Sequence, residues 1–132
     1  MKILINIFFI ASVSLLTACA GAQPEAEKTV DEILAENNLA IVEELDRLTA
    51  FNINSWQYVN EQNVILVEGV SRRYLVELRP KCPELQWAQR IGFTSFGRIV
   101  QKNSDQILVT NGAGRIDRCT IRTFYSLEKT GD

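Results

Sequence analysis

The sequence predicts an α+β domain that is mainly β: an N-terminal amphipathic helix followed by a small antiparallel barrel or sandwich of five to seven strands. Three observations predict it. Apolar residues recur at three- and four-residue intervals between Val30 and Leu48. From residue 53 the period shortens to two. Asn, Asp, Gly and Pro then punctuate the chain at short intervals, as in all-β domains joined by tight turns.

The elements follow in order. Thr29-Val30-Asp31-Glu32 fits a capping box, with Thr29 as N-cap. Val30, Ile33, Leu34, Ile41, Val42, Leu45 and Leu48 carry the helical stripe over 29–49, and Asn37-Asn38 interrupt it, so two short helices fit as well as one. Trp56 and Tyr58 alternate, and Val64–Val67 run continuously to Gly69. Tyr74, Val76 and Leu78 share one strand face, with Arg73 and Glu77 on the other. Pro83 suits the first turn of a short helix carrying Leu85 and Ala88. Ile91–Phe93 resumes extended chain, which Gly97 bends. Ile99-Val100 and Ile107–Val109 flank a hairpin turn at Asn103-Ser104-Asp105, and Asn111-Gly112 signals another turn. In the last strand Cys119, Ile121, Thr123, Tyr125 and Leu127 alternate with Arg118, Thr120, Arg122 and Phe124.

The first 18 residues read as an address rather than as fold. Lys2 supplies a positive start, and residues 3–16 form an apolar run. A membrane-spanning helix needs about 20 apolar residues, so this run suits a signal peptide better. Leu16-Thr17-Ala18-Cys19 resembles the bacterial lipobox. Small residues let the extended chain enter a peptidase, and the thiol takes the diacylglyceryl group. The resemblance implies cleavage before Cys19 and a lipid anchor there. The alternatives are an ordinary secreted protein or a transmembrane anchor, but the small residues abut the cysteine rather than forming an A-x-A-like site. Ala20, in place of aspartate, favours the outer membrane, with the domain facing the periplasm. Residues 19–28 then read as a lipidated flexible tether and 29–132 as one globular domain, β-rich over 53–128.

Composition excludes some functions. There are 14 Lys+Arg against 16 Asp+Glu, a net charge of −2. Residues 20–50 hold eight acids against Lys28 and Arg47, while 51–132 carry a surplus of only three cations. That surplus is too small for nucleic-acid binding. The chain has no histidine, the commonest neutral-pH base and metal ligand. No serine sits in a nucleophile motif, and Glu68, Glu77, Asp105 and Asp117 are scattered. Gly112-Ala113-Gly114 lacks the Gly-Lys-Ser/Thr of a phosphate loop. The expectation is a non-enzymatic protein with no cofactor and no metal.

With Cys19 lipidated, Cys82 and Cys119 remain, and in an oxidising compartment two cysteines pair by default. A reactive thiol would more often show C-x-x-C or a histidine, and zinc would find half a shell. For ligands, Arg118 and Arg122 share a strand face and could grip carboxylates or phosphates, although cross-strand ion pairs are the commoner use. Trp56 and Trp87 could line a pocket, although strand aromatics are usually core. The reading is a membrane-anchored binder of another envelope protein or peptidoglycan. The alternatives are a small-molecule or glycan binder using the arginine face, and lastly a hydrolase.

The lipobox, Trp56-Gln57-Tyr58, Tyr74-Leu75-Val76-Glu77-Leu78, Cys82-x-x-Leu85 and Cys119-Thr120-Ile121 occur in an order and spacing that resemble a known family. It is a family of small proteobacterial lipoproteins catalogued only as a domain of unknown function. The resemblance spans about residues 50–127 and implies class and compartment, with no catalytic residues. The resemblance implies that other members can carry an additional cysteine pair; this chain offers only Cys82 and Cys119.

Overall fold

The computed structural model describes residue 21 and residues 26–49, 52–95 and 97–131. Among these, Cys19 does not appear, so the expected leader and lipidation site lie outside the described residues. No described helix is long and apolar enough to cross a membrane.

The helix begins where the capping box places it. Helix α1 spans Val30–Glu36, the Thr29 hydroxyl accepts from the Glu32 amide at 3.3 Å, and the Thr29 amide donates to Glu32 Oε2 at 2.9 Å. It ends at Asn37, and Asn38 turns the chain with φ +54°. The expectation of helix across 29–49 is corrected here. The second half forms β1 (Leu39–Leu45) and β2 (Arg47–Thr49). Strand β1 is claimed by the free edge of the last strand, β9 (Ile116–Lys129), a long-range pairing that overrides the local stripe. A bulge between Ile41 and Glu43 makes Val42 the extra residue. Leu39 therefore faces one core and Leu45 the other, which imitates helical spacing.

The remaining strands are β3 (Ile53–Asn60), β4 (Asn63–Glu68), β5 (Arg72–Leu78), β6 (Arg90–Phe93), β7 (Ile99–Gln101) and β8 (Gln106–Thr110), with a 3-10 turn at Pro83–Trp87. All pairings are antiparallel. Six strands in the order β3-β4-β5-β9-β8-β6 form a curled sheet, a half-barrel. Strand β1 adds to β9, giving seven in the main sheet, and β2 with β7 makes a separate ribbon. The turn at 103–105 forms, with Asn103 at φ +63° and the Gln101 amide donating to Asp105 Oδ2 at 2.7 Å. The strands it joins do not make the expected hairpin: β7 goes to β2, and β8 goes to β6 and β9.

Both faces of the sheet are covered. The inner core holds Val64, Leu66, Val76, Leu78, Ile107, Val109, Ile121 and Phe124, and the ribbon adds Leu48 and Val100. The outer core lies under α1, where Leu34 meets Leu39, Val59, Ile65, Leu75 and Leu127. Strand β4 is buried on both faces, which explains its unbroken apolar run. The expected strict alternation of β9 fails at one place. Glu77 pairs with Thr123 and Leu78 with Ile121, so Arg122 is an inserted residue. Beyond it Phe124 turns inward and is fully buried, instead of lying outward with Arg118 and Arg122.

Cys82 and Cys119 form a disulfide that ties the 3-10 turn to β9, with both residues buried. Closing a separation of 37 residues should stabilise the domain by about 4 kcal/mol through the unfolded state. Cys82→Ser and Cys119→Ser should lower the unfolding free energy by equal amounts, and the double variant should be no worse. Denaturant titration measures this, and additive losses would exclude a shared bond.

Candidate functional site

Strands β3 and β6 end the ladder, so among the described residues each leaves one strand edge without a partner strand. The curl brings these edges to the two sides of a cleft of about 220 Å³. Its apolar lining is Ile53 and Trp56 from β3, Leu66 from β4, and Ile91 and Phe93 from β6. Trp56 points inward because Trp56 pairs with Leu66, an inner-face residue. Its ring is half-buried, packed against the inner core from the rim. The β3 sequence, INSWQYVN, has no charge and no proline, the devices that commonly protect a sheet edge. Bulges near Asn54 and Val59 bend the strand at both ends.

A polar cluster stands at the mouth of the same inner face. Glu68 of β4 keeps only 11% of its side chain exposed. The Tyr74 hydroxyl donates to Glu68 Oε2 at 2.8 Å, and Arg72 Nη1 lies 3.8 Å from the same oxygen. Burial pushes the Tyr74 phenol above its ordinary range, and the bond to Glu68 pushes the same way. The cluster holds the ends of β4 and β5 together beside Gly69. It has one carboxylate, so it lacks the paired acids of glycoside chemistry.

The residues singled out in the sequence lie at separate places. Arg122 donates from Nη1 to Glu77 Oε1 at 2.8 Å. Arg118 lines a recess of about 260 Å³ beside the disulfide, with Lys81, Arg115, Glu84 and Asp117. Trp87 is 66% exposed on the 3-10 turn. Of the four, Trp56 alone lines the seam cleft. Ile91 and Phe93 were not singled out, because only the approach of β3 to β6 gives them a role. Among the described residues no three Asp, Glu or Cys side chains group as metal ligands.

The model of a family described as a family of unknown function, DUF6491, matches residues 1–131, and the chain belongs to that family. Comparison with curated proteins gives no match, and comparison with solved structures gives none either.

The Tyr74 phenol is raised in the folded state, so its contribution is full below the ordinary phenol range and lost as pH rises through the elevated value. Tyr74→Phe should therefore cost about 1 kcal/mol near neutrality and should flatten the alkaline loss of stability. Denaturation across an alkaline pH series checks both effects.

Proposed function

We propose that this member of the DUF6491 family is a lipid-anchored envelope protein that works by binding, and that it takes an extended segment of an envelope partner at the seam between β3 and β6. One observation carries the reading: an uncharged, unpaired strand edge beside an apolar cleft lined by Trp56 and Phe93. An added strand would satisfy the free backbone groups of the edge, and the cleft would receive one of its alternate side chains. The compartment follows from the Leu16–Cys19 motif. The Cys82–Cys119 disulfide supports it, since such bonds persist outside the reducing cytosol. Ala20 favours the outer membrane over the inner, with the domain in the periplasm. The arginine-face alternative gains no support, because Arg122 is committed to Glu77.

Two experiments test the reading. Cys19→Ala should release the protein from membranes, and mass spectrometry of the wild type should find a lipidated residue 19 at the mature N-terminus. An intact leader would overturn the anchor. A photo-crosslinking residue at Asn54 should give one discrete adduct in cells, and Ser55→Lys should abolish it by charging the edge. An adduct no stronger than that from the same probe at Lys81 would overturn the seam.

A further inference from the structure

We propose that a groove at the β4–β5 end of the domain binds the carboxylates of the cell-wall polymer, peptidoglycan. The groove holds about 680 Å³ and lies between the turn at Val70–Arg72 and the last residues of β9. Arg72, Arg73 and Lys129 line it against one carboxylate, Glu128. Arg72 leans on Glu68 at 3.8 Å, and Arg73 reaches only the Ser71 carbonyl, at 3.5 Å. Among the described residues, neither Arg73 nor Lys129 makes an ion pair. Arg73 and Lys129 are thus two cations without an ion-pair partner, in a chain whose net charge is −2.

The register sets the spacing of these cations. Arg73 pairs with Leu127, so Lys129 lies one diagonal step away on the same face of the sheet. Ser71, in the turn before β5, also lines the groove. A guanidinium and an ammonium one diagonal step apart on a sheet suit a polymer that carries repeated carboxylates.

Anionic lipid is the other source of such charge, and the position of the groove favours the wall. The chain enters the domain at the opposite end of β4, where Glu27 and Lys28 border a recess with Asn60, Glu61, Gln62 and Lys81. With lipid on residue 19, the groove faces away from the anchoring membrane. This orientation rests on the anchor proposed above; the charge argument does not.

The test is co-sedimentation of the purified full chain, in detergent, with isolated sacculi. Wild type should pellet, and the double variant Arg73→Glu, Lys129→Glu should bind about tenfold more weakly or worse, with unchanged thermal unfolding. The equally charged variant Lys81→Glu, Arg115→Glu, altered outside the groove, should bind like wild type. Amidating the sacculus carboxylates should abolish binding. Failure of the wild type to pellet, equal loss in both variants, or binding that survives amidation would overturn the proposal. So would a groove variant that loses association with anionic phospholipid vesicles while keeping sacculi. Fractionation of the Cys19→Ala protein judges the anchor separately.

Discussion

The fold depends on one strand having more partners than two edges ordinarily allow. Strand β9 has 14 residues, about twice the length of β5. It pairs with β5 from Ile121 to Leu127, with β8 through its first five residues and with β1 through its last six. The bulge at Arg122 makes this arrangement work. It changes which side chains face inward, so Ile121 and Phe124 enter the inner core while Leu127 serves the outer one. The pairing of Arg122 with Glu77 holds the inserted residue in place, on the neighbouring strand.

That curvature also explains the seam. A sheet that curls through six strands brings its end strands toward each other, and here they stop with a cleft between them. The interior behind the cleft is filled by side chains, including those of the β2–β7 ribbon. The opening is therefore a shallow apolar slot with two free edges, and not the lumen of a ligand-carrying barrel. Such a slot suits recognition of backbone better than enclosure of a small molecule.

What could be read in the sequence follows the range of the forces involved. Thr29 and Glu32 act over one helical turn, and their capping box appears as read. Val64–Val67 is an uninterrupted apolar run, and its strand is buried on both faces. The turn at Asn111 forms because its Oδ1 accepts from the Ala113 and Arg115 amides, although Gly114 takes the left-handed conformation rather than Gly112. The failures come from long-range pairing. Val42 and Arg122 are bulge residues, and each shifts a period of two by one place for the residues beside it, Phe124 among them. The strands beside the 103–105 turn pair with β2, β6 and β9 rather than with each other. Local periodicity cannot register either, because the partner strands lie far along the chain. The seam escaped for the same reason: Trp56 is a visible aromatic, but Ile91 and Phe93 acquire meaning only from closure.

The late position of β9 has a consequence for how the protein matures. A chain made N-terminus first can form the β3–β4–β5 meander from local contacts alone. Strands β1 and β8 must wait, because residues 116–129 complete their pairing. Cys82 waits as well, as a free thiol, until Cys119 arrives 37 residues later. During that interval the half-built sheet displays open edges and an unpaired sulfur, and the chain is then most open to aggregation and to mispaired thiol chemistry.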